Sequence, residues 1–313
     1  MTAPLTTDLR PTFFGGCEWY ETLSLPAEVP TAWWVAKDTE PNIWVGVLNA
    51  ALAFAVEHDL TDIYARRFAG ISPQELRHDR AQRKGRTCSF PIWEIANELL
   101  VARYLERVLN WKFDQHEPRG RGERRGDWQF ITPAGQAVFT EVKSIREVEG
   151  PTGVFSANFT PKVRDAIARA YAQLPNDRGV LVVLVGGGLT LDMPARLPML
   201  SWLFSALFGE FQITFNVMPY DPESTQAGPS FRDRLVHSTK HRRIGCVAAL
   251  RPGGMDVPSF GFYAIHNPYA YENARIAQKD LGEAFQFAVD EQGRGAWTGE
   301  LHPKVWAAMQ CGS

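Results

Sequence analysis

Gly126-Asp127-Trp128-Gln129-Phe130-Ile131, then Thr132-Pro133-Ala134-Gly135-Gln136, then Ala137-Val138-Phe139-Thr140-Glu141-Val142-Lys143 follow one another without a break and read as one β-hairpin. The flanks carry aromatic and β-branched residues, and the middle carries turn chemistry. Residues two apart on a strand share a face. Glu141 and Lys143 therefore point the same way, Val142 points into the opposite layer, and Asp127 arrives from the neighbouring strand. Two carboxylates and one ammonium then converge on one side of a sheet, where a hard divalent cation and an attacking water can be held. Taken alone, Glu-x-Lys is more simply a Glu–Lys pair on the wet face of a surface hairpin. Its surroundings turn the reading towards chemistry: an Arg- and Gly-rich loop precedes Asp127, the strand of Glu141 opens on Ala137-Val138-Phe139, and amphipathic helices lie on both sides.

Working outward, Phe90 to Val108 is the clearest amphipathic helix, with Ile95, Leu99, Ala102, Leu105 and Val108/Leu109 on its inner face. Trp111-Lys112-Phe113 reads as a short strand, and Glu117 to Arg125 as a polar loop. After the hairpin, Pro161 to Leu174 reads as a helix with Pro near its start, and the apolar run Gly179 to Val185 as a central buried strand. This order predicts a mixed central β-sheet flanked by helices, an α/β fold. Residues 1–40 look irregular, and Pro41 to Ala69 carries helical spacing. Ser72-Pro73-Gln74-Glu75 resembles a helix start, and Leu197–Phe211 reads as a buried helix. Phe211–Met218, Ile244–Leu250 and Phe260–Ile265 have strand character, Asp221–Pro229 reads as a loop, and Tyr271–Val289 as a helix.

The hairpin and its flanking elements resemble the PD-(D/E)XK nuclease superfamily over residues 88–185. Its signature is helix, strand with an Asp, strand with Glu-x-Lys, helix, strand. Gly126-Asp127 stands for the Pro-Asp half, with Gly where the family has Pro, and Glu141-Val142-Lys143 stands for the second half. The resemblance implies a restriction-endonuclease-like core at 88–190, behind a mainly helical N-terminal region at 1–87. A C-terminal stretch at 191–313 either extends the core or forms a small second lobe. It also implies a metal-dependent endonuclease that hydrolyses phosphodiester bonds, DNA ahead of RNA, in restriction, phage defence or repair.

Asp127 and Glu141 would ligate Mg²⁺, for which Mn²⁺ can substitute, and the backbone carbonyl of Val142 would add a third oxygen. Lys143 would position the water or hold the phosphate; service as a general base would require its pKa to fall. The family often adds a helix carboxylate. Glu98, followed by Val101, Ala102 and Leu105, matches that pattern slightly better than Glu94 one turn earlier. A polar residue on the following helix can also join such sites, which nominates Gln173, with Lys162 and Arg169 as alternatives; plain surface solvation competes for each.

Lys and Arg total 33 against 35 Asp and Glu, giving a net charge of −2. No bulk attraction to nucleic acid follows, so any such binding rests on local patches. Three patches stand out: Arg83, Lys84 and Arg86 with Arg77 and Arg80; Arg119, Arg121, Arg124 and Arg125 just before Asp127; and Lys240, Arg242 and Arg243 beside His241. Arginine groupings of this kind bind phosphates through charge-assisted contacts. No zinc-finger, RNA-binding or helix-turn-helix signature appears, and no HExxH, P-loop or G-x-S-x-G motif. Gly186-Gly187-Gly188 reads as a turn, and His266-Asn267-Pro268-Tyr269-Ala270 as a strand-ending turn.

Four scattered cysteines fit a reducing cytoplasm, and no apolar run is long enough for a membrane partner. Nucleases of this fold often pair to cut both strands, which leaves a homodimer open. Two other readings remain: a nucleic-acid-binding protein of the same fold that has lost cleavage, and a structural or regulatory protein whose Asp, Glu and Lys form a plain surface salt bridge.

Overall fold

A computed structural model of the chain describes residues 7–22, 43–74, 90–121, 124–146, 160–187, 198–215, 227–232, 235–236, 238–253, 259–282, 284–289 and 295–299. Its centre is an eight-stranded mixed sheet in the order β1 (Lys112–His116), β2 (Trp128–Ile131), β3 (Ala137–Arg146), β4 (Gly179–Gly187), β7 (Cys246–Gly253), β8 (Ser259–His266), β9 (Phe285–Val289) and β10 (Gly295–Thr298). β1, β2 and β3 form an antiparallel meander. β3, β4 and β7 run parallel through the middle. A two-stranded sheet of β5 (Glu210–Phe215) and β6 (Ala227–Arg232) stands apart from it.

Side-chain alternation on the central strands divides the core between two faces. Val138, Val142, Leu181, Val183, Val185, Ala248 and Leu250 pack on one side with α1 (Arg10–Phe14), α3 (Ile43–Glu57), α4 (Thr61–Ala69) and α5 (Phe90–Arg107). Phe139, Ile145, Val180, Val182, Leu184, Val247 and Ala249 pack on the other with α6 (Thr160–Tyr171) and α7 (Pro198–Phe208). Strands buried on both faces carry continuous apolar runs, which is why Gly179–Val185 stood out in the sequence. The result is an α/β fold with helices on both sides of a mixed sheet, as the order of elements predicts. β7 to β10, all beyond residue 190, belong to the same sheet as the hairpin.

Several local expectations are corrected. The helical stretch at 41–69 is two helices, broken where Asp59 takes a positive φ of 57°. The N-terminal residues described include α1 and α2 (Glu18–Thr22) rather than irregular chain alone. Ala227–Pro229 lies in β6, not in a loop. Tyr271–Val289 is not a helix: it holds two short 3-10 turns, Glu272–Ala274 and Gln278–Leu281, followed by β9. Gly282 at φ 58° ends the helical part, and β9 then carries Phe285, Phe287 and Val289 at the two-residue spacing of a strand. Among the described residues, no helix is long and apolar enough to cross a membrane. Cys17 and Cys246 are buried free thiols.

Candidate active site

The hairpin forms, with Trp128 opposite Thr140 and Ile131 opposite Ala137. Gly135, at φ 85°, makes the turn that a side chain would strain. Glu141 follows directly on β3, which there continues alone against β4, Glu141 opposite Val182. Its side chain is only 1% exposed, beneath a Lys143 side chain that is 25% exposed. The Lys143 ammonium folds back along the shared face and pairs with Glu141 Oε1. Asp127 sits at a bend one residue before β2 rather than on the strand. Its backbone carbonyl accepts from Glu117 N at 3.0 Å, and its Oδ2 accepts the Val142 N–H at 2.6 Å. The three side chains named from the sequence therefore meet at one place. On a strand, one residue's N–H and C=O leave along the same edge. The Val142 carbonyl thus faces the Asp127 side, beyond the last β2–β3 pair.

The electrostatics of this cluster are lopsided. Burial, then Glu98, then Glu141 push the Asp127 carboxyl well above the usual range, against the Val142 N–H and Lys143. Burial likewise raises Glu141, with Lys143 opposing. Burial would lower Lys143, but Glu141 in contact, with Asp127 and Glu98 beyond, holds its pKa above the ordinary lysine value. This ammonium is firmly charged, so the general-base condition set from the sequence is not met by the protein alone.

Glu98 and Glu94 separate cleanly. Glu98 lies on α5 with its carboxylate in a two-pronged pair to Arg67 of α4, at 2.5 and 2.7 Å, and Tyr64 Oη donates to it at 3.3 Å. Its charge is felt at Asp127, Glu141 and Lys143 alike. Glu94, one turn earlier, is exposed and lines a groove of about 810 Å³ with Ser144, Lys162 and Arg169. Neither Arg67 nor Tyr64 was legible as a site residue. Their sequence signal was two more positions of a helix, and their pairing with Glu98 exists only in the fold.

Gln173 lies in the turn just after α6. With its amide nitrogen turned to the Glu141 side, it donates to Glu141 Oε1 at 2.9 Å and to the Arg125 carbonyl at 2.9 Å. Its own carbonyl accepts Arg121 N at 2.9 Å. Gly120 passes so close that an added Cβ would lie 2.0 Å from that oxygen. This contact clasps the arginine loop to the end of α6, and Arg119, Arg121, Arg124 and Arg125 all remain exposed beside Asp127. Arg125 also pairs with Glu117 at 3.1 Å.

The third basic patch divides. Lys240 is exposed. Arg242 donates to the Tyr269 carbonyl and lies over the Tyr271 ring. Arg243 is corrected from a phosphate ligand to a structural residue. It is 5% exposed, donates to the Leu174 and Tyr171 carbonyls at 2.7 and 3.0 Å, and stacks on Tyr171. The Tyr171 carbonyl ends α6, where a cation is favoured, and the Leu174 carbonyl lies just beyond it. Arg77, Arg80, Arg83, Lys84 and Arg86 lie outside the described residues.

Among the described residues, no three His, Cys, Asp or Glu side chains gather closely enough to hold a metal ion. What the site offers instead is one buried and one half-buried carboxylate, Glu141 and Asp127, with a backbone carbonyl on the same edge. Such a donor set suits a hard cation that keeps most of its water.

No protein family and no curated protein matches the chain. Among solved structures, the chain is similar to SfsA of Pyrococcus furiosus, determined in complex with Ca²⁺, at 16% identity and a TM-score of 0.22. That likeness covers 53% of this chain and 59% of the other. At that TM-score it carries no argument about fold or site.

Proposed function

We propose that the protein is a divalent-cation-dependent nuclease of the PD-(D/E)XK kind, hydrolysing phosphodiester bonds in nucleic acid, DNA ahead of RNA. The observation that carries this reading is the Asp127 carboxylate bonded to the Val142 N–H, between Glu141 and Lys143. The order α5, β2, β3, α6, β4 around it agrees with the superfamily signature.

Asp127, Glu141 and the Val142 carbonyl would hold Mg²⁺ or Mn²⁺. When bound, the cation would polarise the phosphate and stabilise charge on the departing oxygen. Every other role belongs to the chain. Lys143, kept charged by its carboxylates, holds a phosphate oxygen or the incoming water in line. Gln173 fixes the rotamer of Glu141. Arg119, Arg121, Arg124 and Arg125 draw the phosphate backbone to the site by charge-assisted contacts. In the reaction, water oxygen bonds to phosphorus and gives up a proton, one ester P–O bond breaks, and the departing oxygen takes up a proton, so that the elements of water are divided between the two products.

Incubation with plasmid DNA and with RNA, in Mg²⁺, Mn²⁺ or EDTA, tests this directly. Metal-dependent loss of substrate that disappears in Lys143→Ala is the expected outcome. Binding without cleavage in any metal would leave a nucleic-acid-binding protein of this fold. Neither binding nor cleavage would leave the charges a structural salt bridge.

A further inference from the structure

We propose that Arg67 withholds Glu98 from the cation site, so that the site takes its ion on Asp127, Glu141 and the Val142 carbonyl, and that removing the guanidinium admits Glu98 as an added ligand. This rests on the cation-dependent reading above.

The argument starts from how Glu98 is occupied. Both of its carboxylate oxygens lie in the fork of Arg67, at 2.5 and 2.7 Å, and Tyr64 Oη stands at 3.3 Å from the first. To ligate an ion, Glu98 would have to give up two parallel charge-assisted bonds, the strongest hydrogen bonds a carboxylate makes with a side chain. The lock itself is braced. The Arg67 guanidinium lies 5.0 Å from the centre of the Tyr64 ring, and that ring stacks on Trp128 within 8° of parallel. Trp128 Nε1 in turn donates to the Glu98 carbonyl at 3.1 Å. The first residue of β2, the helix of Glu98 and the helix of Arg67 are thus tied together one residue from Asp127.

Glu98 is nonetheless near the site, since its charge acts on Asp127, Glu141 and Lys143. A near carboxylate that is fully engaged elsewhere also explains why, among the described residues, no three-carboxylate group forms. Arg67 holds both oxygens of Glu98 away from the ion, so Glu98 acts on the site through its field and not as a ligand. Neither Arg67 nor Tyr64 belongs to the hairpin signature. They come from a helix outside residues 88–185 and set the ligand number from there.

The test is Mn²⁺ binding by calorimetry to the full chain, in wild type, Arg67→Met, Glu98→Gln and the double variant, with circular dichroism to verify folding. Methionine keeps an unbranched stem over Tyr64. Glu98→Gln should leave the wild-type affinity within about twofold, because the glutamate is not a ligand. Arg67→Met should bind Mn²⁺ about tenfold tighter, as each added carboxylate strengthens an oxygen site. The gain should survive about 0.5 M salt, which screens a mere change of field. The double variant, with the same net charge as wild type, should return to wild-type affinity. A tenfold loss in Glu98→Gln would show that Glu98 already ligates the ion. No gain in Arg67→Met, or a gain erased by salt, would also overturn the proposal. Should Arg67→Met not fold, the Glu98→Gln result decides alone. Absence of Mn²⁺ binding in wild type would overturn the cation-dependent reading itself, and this one with it.

Discussion

Two clusters of buried charge lie on this fold, and they differ in how their signs add up. On α3 and α5, Glu57 pairs with Arg103 and with Arg107, and Glu106 pairs with His58 and Arg107. Two carboxylates there face two guanidinium groups, and Arg103, with no exposed side-chain surface, is buried against its partner. At the hairpin, among the described residues, Asp127, Glu141 and Glu98 face Lys143 and Arg67, and the Asp127 and Glu141 carboxyls are driven up in pKa. A balanced buried set is self-sufficient and holds helices together. An unbalanced one costs stability unless something of opposite charge completes it. The comparison separates a structural network from a site by arithmetic of charge, without appeal to sequence motif.

The contrast can be broken most forcefully at Glu57. Glu57→Ala strands Arg103 without its carboxylate, and chemical denaturation should read a loss of about 3–5 kcal/mol. Cleavage by the protein that remains folded should be unchanged.

The opposite pattern is expected at Asp127. Asp127→Asn should lower cleavage by about a hundred- to a thousandfold, about 2.7–4 kcal/mol of transition-state stabilisation, while raising the melting temperature in metal-free buffer. The sign follows from linkage. A carboxyl whose folded pKa lies above its unfolded value of 3.8 favours the fold while both states are protonated, and penalises it as pH rises from there through the folded pKa. The stability advantage of Asp127→Asn over wild type should therefore be absent below about pH 4 and grow towards neutral pH, and saturating Mg²⁺ should shrink it. A melting advantage that did not change with pH would contradict the charge imbalance.

Arg243→Ala tests whether a basic residue can be structural despite its neighbours. The carbonyls of Tyr171 and Leu174, the second of them buried, lose their donor, so about 1–3 kcal/mol of stability should go, and the salt dependence of nucleic-acid binding should not move. The smallest effects are expected in the exposed loop. Arg121→Gln and Arg124→Gln should each leave stability alone and reduce the slope of log affinity against log salt by about one, seen in fluorescence anisotropy at several ionic strengths.

The central layer was readable because the physics there is local. Period-two patterning marks β2 and β3, an apolar run marks β4, and amphipathic spacing marks α5 and α6. The shared face of Glu141 and Lys143 followed from side-chain alternation on β3, whereas Asp127, at a bend before β2, joins them through its bond to the Val142 N–H. What was not readable depends on distant chain. Whether Arg243 faces solvent or the end of α6 is decided by 69 residues of intervening fold. The Arg67–Glu98 fork spans 31 residues and two helices. Glu94 and Glu98 share a helix side in sequence, yet the second is the one held by Arg67 and Tyr64 and acting on Asp127, Glu141 and Lys143, while the first is exposed on a neighbouring groove. Tyr271–Val289 shows another limit: extended backbone at Arg275 and Ala277 parts two 3-10 turns, and β9 follows Gly282 at positive φ.

Gln173 touches Glu141 with its amide and holds the arginine loop with its carbonyl. A polyanion settling on the loop and an ion settling on the carboxylates would therefore share Gln173, through its backbone carbonyl and its side-chain amide, as their common neighbour. Thermodynamic reciprocity then demands that whatever factor the ion adds to the hold on the polyanion, the polyanion adds to the hold on the ion. Were the proposed ion to strengthen the hold on nucleic acid, it would in turn be held most tightly while nucleic acid is bound.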